Sequence, residues 1–376
     1  MKILHTISSM GVKSGGPALS TLLTVKGLRN YGIEADVVTY QTLNNSDKPI
    51  SCESFIHMLQ SVNNVFAYSK QLKKFLLKNI QYDLYHAQGV WLYPTYITSK
   101  IARQFQKSYI ITPRGMLYPQ DLAKRRLKKT IFLKLFLLND LQQAACVHAT
   151  CKEEMIHLRN LGVKSPVALI PNPIETDTIN EIKNHSLIRV GYLGRVHPRK
   201  NIERIIYAWN KLGSEVQDKE LVIIGSGNDK YHQFLKDEVV RMKLKNVVFT
   251  GFLSGKEKAD AIQSLSYLVV PSDFENFGMI IPEALIRGVP VIASKGTPWE
   301  ELNTHYCGWW VDNSIDTLTQ AIKKAISTSE QERLQMGRNG QKLIKENYSV
   351  EIVTGKMLQL YNWILNGGEK PEFVYL

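Results

Sequence analysis

Leu268-Val269-Val270-Pro271-Ser272-Asp273-Phe274-Glu275-Asn276-Phe277-Gly278-Met279-Ile280-Ile281-Pro282-Glu283-Ala284-Leu285-Ile286-Arg287-Gly288-Val289-Pro290-Val291 reads as a strand, a loop, a helix and the start of another strand. Leu268–Val270 is a short, apolar, β-branched run, the composition of a buried parallel strand. Pro271 ends it. Two acids follow in the loop, and a helix starts near Pro282, a residue suited to a first helical turn. Val289–Ala293 then reads as the next strand. A strand that passes through a helix to another strand makes a parallel pair with its helix on one face.

The same alternation extends outward in both directions. Ahead of this stretch, strands are expected at Ile3–Ser8, Ala35–Tyr40, Leu84–Ala87, Tyr109–Thr112, Val147–Thr150 and Val167–Ile170. A second series is expected at Arg189–Leu193, Leu221–Ile224 and Val247–Thr250. Amphipathic stretches such as Ala18–Asn30 and Asn201–Leu212 lie between them. Pro171-Asn172-Pro173 separates the two series, because two prolines in three residues disfavour helix and suit an extended linker. After about Val311 the pattern is mostly helical, through Thr317–Ser327, Gln331–Glu346 and Val350–Leu365. The expected architecture is α/β, with two doubly wound parallel-sheet domains facing across a cleft. They span residues 1–172 and 173–348, and residues 349–376 form a helix that packs back on the first domain. At 376 residues the chain is long enough for two such domains, each burying its own core.

Ligands of open parallel sheets bind beyond the carboxyl ends of the strands, so the residues just after each strand carry the chemistry. Gly278 lets backbone approach a ligand, and the amides ahead of Pro282 can meet phosphate oxygens. Glu275 and Glu283 flank those amides. Carboxylates repel phosphate but accept hydrogen bonds from hydroxyls. Phosphate with hydroxyls on two sides describes a sugar nucleotide; the bland alternative is a capped helix with solvated acids. In Gly194-Arg195-Val196-His197-Pro198-Arg199-Lys200, a fork donor and a point charge flank a turn that can hold a pyrophosphate. A solvated basic loop is equally compatible with that segment alone.

Other segments are weaker. Ser14-Gly15-Gly16-Pro17 follows the first strand, and its amides can face a phosphate. Gly225-Ser226-Gly227 lacks the third glycine of a dinucleotide fingerprint. Gly251–Lys256 is one residue short of a phosphate loop and has Glu257 where a hydroxyl is needed. His86 ends a strand, where a lone histidine is usually structural. Arg114, beside Gly115, is a better candidate for an anion contact. Cys52, Cys146, Cys151 and Cys307 form no CxxC pair, Cys146 and Cys151 are expected in one buried strand, and all four read as reduced core thiols.

Lys and Arg number 47 against 34 Asp and Glu, a net charge of +13. Residues 1–172 hold 22 basic and 9 acidic residues, so the first half carries the whole excess. Such a surface suits an anionic partner. Ala123–Phe136 concentrates Lys124, Arg125, Arg126, Lys128, Lys129 and Lys134 on a helical pattern with an apolar side. The apolar side is expected to pack on the sheet and the basic side to meet anionic lipid. Nucleic acid is disfavoured, since no stacking-aromatic or helix-turn-helix module accompanies the charge. The N-terminus does not resemble a signal peptide, and the longest apolar stretch, Ile131–Leu138, is broken by Lys134. A cytoplasmic protein, peripheral on the inner face of the cell membrane, is expected.

Glu-Asn-Phe-Gly-x4-Glu-Ala-x3-Gly-x-Pro-Val, starting at Glu275, resembles the signature of retaining family-four glycosyltransferases with the GT-B fold. The resemblance extends to Gly15-Gly16, Pro171-Asn172, Gly194-Arg195 with Lys200, Gly225-Ser226-Gly227 and the helical C-terminus. It implies that Arg195 and Lys200 bind the donor pyrophosphate, Glu283 the ribose and Glu275 the hexose. Backbone at Asn276, Phe277, Gly278, Met279 and Ile280 would contact the sugar and the distal phosphate. Gly15 and Gly16 would approach that phosphate from the first domain, and Gly194 and Gly225 would shape the pocket. The base would lie near Phe252 and Leu253. Such enzymes use no cofactor and no metal, in keeping with the absence of an Asp-x-Asp triplet. Members often carry His where this chain has Arg114, and an Arg does not deprotonate, which argues against proton transfer there. Some bacterial surface-polysaccharide members are similar to this Arg form, with Gly-Val-Trp as at Gly89–Trp91 and Thr-Pro-Trp-Glu-Glu-Leu as at Thr297–Leu302.

The expectation is therefore a retaining hexosyltransferase, with Glu275, Arg195, Lys200 and Arg114 in its catalytic set. Its partners would be a nucleotide-diphosphate sugar, a glycan or lipid-linked acceptor in O-antigen or capsule synthesis, and an anionic membrane. A same-fold nucleotide-sugar epimerase and a non-catalytic membrane-binding protein are the alternatives.

Overall fold

The computed structural model describes residues 1–42, 47–176, 182 and 186–376. These divide into two compact units, Met1–Glu175 with Tyr348–Leu376, and Thr176–Asn347. Seven strands come first: β1 (Lys2–Thr6), β2 (Glu34–Tyr40), β3 (Ile56–Leu59), β4 (Leu84–Gln88), β5 (Ser108–Thr112), β6 (Cys146–Ala149) and β7 (Val167–Leu169). The second unit has β8 (Arg189–Leu193), β9 (Glu220–Ile224), β10 (Val247–Gly251), β11 (Tyr267–Val270), β12 (Val291–Ser294) and β13 (Gly308–Val311). The two-residue β14 (Val374–Tyr375) returns to the first.

The first sheet runs β14-β7-β6-β5-β4-β1-β2-β3, parallel except for β14 on β7. The second runs β10-β9-β8-β11-β12-β13, all parallel. In each sheet the strand order reverses once, between β1 and β4 and between β8 and β11. All eleven expected strands form. Those not anticipated, β3, β13 and β14, are edge strands. An edge run of a few residues takes its conformation from one neighbour, and its own pattern is too short to announce it.

Each sheet buries apolar strands under helices on both faces. In the second unit, Ile202–Leu212 places Ile205, Ile206 and Trp209 against Val190, Leu221 and Ile322. In the first unit, the helices Gly16–Asn30 and Val350–Asn366 share one face of the sheet. Val25, Leu28, Val353, Met357 and Leu360 are all buried there.

Tyr361 of that last helix reaches a buried polar chain. Its hydroxyl lies 2.7 Å from His86 Nδ1 and 3.3 Å from His5 Nε2. His86 Nε2 is 2.6 Å from Thr112 Oγ1, which is 2.9 Å from His148 Nδ1. His148 Nε2 lies 2.7 Å from the Ile170 carbonyl. A carbonyl only accepts, so His148 donates through Nε2 and its Nδ1 accepts from Thr112. The same logic runs back along the chain. Thr112 accepts from His86 Nε2, His86 Nδ1 accepts from Tyr361, and Tyr361 accepts from His5 Nε2. His5 Nδ1 accepts from Gln88 Nε2 at 3.4 Å. Three neutral imidazoles thus have both ring nitrogens in use, and His86 is structural as its position at a strand end suggested.

One expectation is corrected. Phe132, Leu133 and Leu138 do pack on the core. Leu127, Ile131 and Leu135 instead stand in solvent, at 75%, 50% and 66% exposure, and Phe136, 44% exposed, meets the Tyr96 and Phe132 rings. The segment carries two apolar stripes, and the sheet has room for only one. Cys146 and Cys151 are both buried, but Cys151 precedes the helix Lys152–Asn160 rather than lying in β6; Cys52 is exposed. No helix among the described residues is long and apolar enough to cross a membrane.

Candidate functional site

In the second unit, the loops after β10, β9, β8 and β11 emerge side by side from the carboxyl edge, because those strands are parallel neighbours. Phe252 and Leu253 follow β10, Gly225 follows β9, Gly194–Lys200 follows β8 and Ser272–Met279 follows β11. The reversal of strand order falls between the last two, the place where such sheets bind ligands.

Lys200 forms an ion pair with Glu275, across the gap between the β8 and β11 loops. Ser272 Oγ donates to the same carboxylate oxygen at 2.7 Å. Asn201 ties the two loops from beneath, its Nδ2 donating to the Pro271 carbonyl at 3.0 Å and to Asp273 at 2.7 Å. Arg195 is exposed, and its carbonyl accepts from Tyr192 at 2.9 Å. No acid among the described residues pairs with the Arg195 guanidinium. It stands ready for an anion from solution.

Gly278 has φ +74°, a left-handed backbone that glycine adopts without strain. It turns the chain into the helix Ile280–Leu285. The amides of Gly278 and Met279 have no acceptor among the described residues. Glu283 sits in the first turn of that helix and is ion-paired with Lys258 of the helix Gly255–Gln263. Each of the two carboxylates therefore already holds a lysine, which reduces their repulsion of a diphosphate beside them.

The β11 loop is held from behind by Gly296 and Trp299, to which the sequence assigned no role at the site. Glu275 N donates to the Gly296 carbonyl at 2.7 Å, and Trp299 Nε1 donates to the Phe277 carbonyl at 2.5 Å. The indole also meets the Phe277 ring edge-on, with centroids 5.3 Å apart. The only signal for this was an aromatic in Thr297-Pro298-Trp299, which local pattern cannot place. Gly225 has a packing reason for being glycine: a Cβ there would lie 1.9 Å from the Gly194 carbonyl oxygen. The amides of Gly225 and Gly194 are spent on the carbonyls of Gly251 and Ile224, at 2.8 Å and 3.0 Å. These two glycines shape the loops; their N–H groups already have acceptors.

The remaining candidates lie in the first unit. Gly15 and Gly16 open the helix Gly16–Asn30 after β1. Arg114 follows β5 at φ +60°, a backbone that costs a non-glycine residue. Its side chain explains why the conformation persists. Nε and Nη2 both donate to Gln88 Oε1, at 3.0 Å and 2.7 Å, and Nη1 donates to Asn172 at 2.5 Å. Burial lowers its pKa to about 10, so it stays charged at neutral pH. Its donors serve neutral oxygens of its own unit, and it braces β4 against the segment that follows β7.

The two halves match separate family models. Residues 174–343 match "Glycosyl transferases group 1" and residues 14–178 match "Glycosyltransferase Family 4". A GDP-mannose-dependent alpha-mannosyltransferase of Mycolicibacterium smegmatis is 33% identical over 39% of this chain and 36% of its own length. The capsular polysaccharide biosynthesis glycosyltransferase CapM of Staphylococcus aureus is 24% identical over 58% of each. The chain thus spans between about a third and three fifths of these relatives. Anabaena HepE, solved with UDP and glucose, has the same fold, with a TM-score of 0.75 at 18% identity over 96% of this chain and 99% of that one.

Proposed function

We propose a reaction for a chain that belongs to the family-four glycosyltransferases of the GT-B fold, the family its two halves match: it moves a hexose from a nucleotide-diphosphate sugar to an acceptor hydroxyl, with retained configuration. The observation that carries this reading is the pair Glu275 and Glu283, either side of the unpaired amides of Gly278 and Met279. Hydroxyl acceptors flank phosphate donors there, with Arg195 and Lys200 beside them. Glu283 takes the ribose and Glu275 the hexose, while Asn276 to Ile280 line the sugar and distal phosphate and Phe252 and Leu253 the base. Arg195, Lys200 and the amides offset the charge that grows on the departing diphosphate. That supply of cations suits a metal-independent transfer, with a phosphate oxygen accepting the proton of the incoming hydroxyl. Trp299 acts indirectly, by holding the Phe277 carbonyl.

Calorimetric titration with UDP-, GDP- and dTDP-hexoses tests the reading. One of them should bind, and Glu283→Ala should weaken it roughly tenfold to a hundredfold, the worth of one charged hydrogen bond of about 1.5–3 kcal/mol. Wild-type affinity in that variant would remove Glu283 from the site. Product analysis with and without acceptor separates transfer from epimerisation.

The acceptor proposed is a lipid-linked glycan of bacterial surface polysaccharide, with the enzyme peripheral on the inner membrane face. Support comes from the exposed Leu127, Ile131 and Leu135 beside Arg125, Arg126 and Lys128. An apolar stripe bordered by cations fits an anionic bilayer surface, where each basic residue contributes about 1 kcal/mol. Flotation should show binding to vesicles containing phosphatidylglycerol that falls with salt and with Leu127→Ser/Ile131→Ser/Leu135→Ser. Equal binding to neutral vesicles, or none to either, would end this part of the proposal.

A further inference from the structure

Of the two acids in the β11 loop, Asp273 has no part in the reaction proposed above. Its side chain is 52% exposed, yet one carboxylate oxygen, Oδ1, collects three donors. Asn201 Nδ2 lies 2.7 Å away, Asn313 Nδ2 3.3 Å and Arg204 Nη1 3.7 Å. They come from the end of the β8 loop, from the residues after β13 and from the first turn of the helix Ile202–Leu212. Both amides also donate to the Pro271 carbonyl, at 3.0 Å from Asn201 and 2.8 Å from Asn313. Arg204 donates to the Asn313 carbonyl. Three loops of the second unit are thus tied together where β11 ends.

Asn201 is the member of this knot that bears on the chemistry. It directly follows Lys200, and its backbone is left-handed, with φ +49° and ψ +41°. Glycine takes that conformation without strain, and asparagine is among the few other residues that tolerate it. Strain kept at a non-glycine residue points to work done by its side chain. Asn201 is 5% exposed, and its amide gives one hydrogen to the Pro271 carbonyl and the other to Asp273. Moving either loop would leave buried N–H groups without acceptors, which is costly.

Lys200 reaches across the same gap to Glu275. The β11 loop is also held on its other side, by the Gly296 carbonyl on Glu275 N and by Trp299 on the Phe277 carbonyl. Beside Asn201 and the Lys200–Glu275 pair, the β8 loop meets the β11 loop through the Asp273 amide on the Arg199 carbonyl at 3.3 Å. The Arg199 guanidinium also stands 5.1 Å over the Phe274 ring. Loss of the Asn201 amide would therefore shift Lys200 and leave Glu275 in place. We infer that Asn201, anchored on Pro271 and Asp273, is a positioning residue that sets the Lys200 ammonium against Glu275. The inference rests on the reading of Lys200 and Glu275 as the groups that meet the diphosphate and the hexose. They then stand on either side of the bond that breaks, where a misplacement of about 1 Å costs about a hundredfold in rate.

The test compares Asn201→Gly, which suits the backbone and removes the amide, with Asp273→Ala and Asp273→Asn in the full chain. Turnover of the intact donor should fall about tenfold to a hundredfold in Asn201→Gly, and less in Asp273→Ala, which leaves the Pro271 acceptor. Asp273→Asn, whose side-chain oxygen still accepts, should keep most of the activity. Affinity for the nucleoside monophosphate, whose ribose is assigned to Glu283, should hold in all three; a merely structural loss would lower it along with kcat. In a Lys200→Met background Asn201→Gly should cost little more, because no ammonium is left to place. A second readout needs no turnover. After reductive ¹³C-methylation of the lysines, the Lys200 signal is assigned by its absence in Lys200→Met. In Asn201→Gly it should move toward the position that Glu275→Gln gives it. Asp273→Ala, at a half-exposed position, serves if Asn201→Gly does not fold. An unmoved Lys200 signal, an unchanged kcat, equal losses of kcat and monophosphate affinity, or losses that simply multiply in the double variant would each overturn the inference. A wild-type chain that transfers no hexose would overturn the proposed reaction, and the Lys200 signal would still decide whether Asn201 places that residue.

Discussion

Arg195→Ala should lower turnover with the intact donor about a hundredfold to a thousandfold, the usual effect of removing one pre-set donor from a site where negative charge develops. The guanidinium is exposed and unpaired by any acid among the described residues, so nothing inside the protein competes for it. Lys200, by contrast, is already paired with Glu275 and must divide its charge between that carboxylate and the donor. Arg195 should therefore matter more than Lys200 to the departing diphosphate, and less to ground-state binding. The measurement is kcat for Arg195→Ala and Lys200→Met, beside calorimetric affinities for the nucleoside mono- and diphosphate. If both affinities fell equally in Arg195→Ala while kcat held, Arg195 would be a binding residue with no share in the chemistry.

The second large effect is acid lability of the first unit. Burial, reinforced by the charge of Arg114, lowers the His5 and His148 pKa values to about 3. Burial also holds His86 well below the ordinary value, helped by its two histidine neighbours and Arg114. The hydrogen-bond chain explains the direction from geometry: each ring uses one nitrogen as acceptor, and a second proton on any ring sets donor against donor. The folded pKa values lie below the unfolded one of 6.5. The stability these groups contribute is therefore complete above pH 6.5 and is lost as pH falls from there toward about 3. Each histidine costs at most about 1.4 kcal/mol per pH unit, so three together cost about 4 kcal/mol per unit at the steepest. Buried Glu154, whose pKa burial raises, works the other way, since its protonation on acidification favours the fold. Hydrogen exchange between pH 7 and 4.5 should show β1, β4, β5 and β6 losing protection well before β8, β9 and β11. A first unit as stable at pH 5 as at pH 7 would mean that the three rings are not neutral in the fold.

The strands and the strand-loop-helix passage proposed to hold the donor were legible because each depends on residues close in the chain. An apolar β-branched run such as Leu268–Val270, or the 3.6-residue period of Val350–Leu365, is set by local sterics and by which side must be buried. Glu275, Gly278, Pro282 and Glu283 lie within one strand-loop-helix passage, so their order alone told what each could do. Arg195 and Lys200 share one turn for the same reason.

Sequence alone thus determined the two series of parallel strands and which polar residues follow each strand. Tertiary structure decided which residues meet. Lys200 finds Glu275 and Lys258 finds Glu283 because neighbouring strands bring their loops together. Trp299 comes to rest behind Phe277, and three histidines scattered between His5 and His148 close into one chain through Tyr361. It also decided which stripe of Arg126–Leu137 is covered, leaving Leu127, Ile131 and Leu135 in solvent. Periodicity shows that a helix has an apolar side. Which side finds a partner depends on contacts between segments far apart in the chain, and those exist only once the chain has folded.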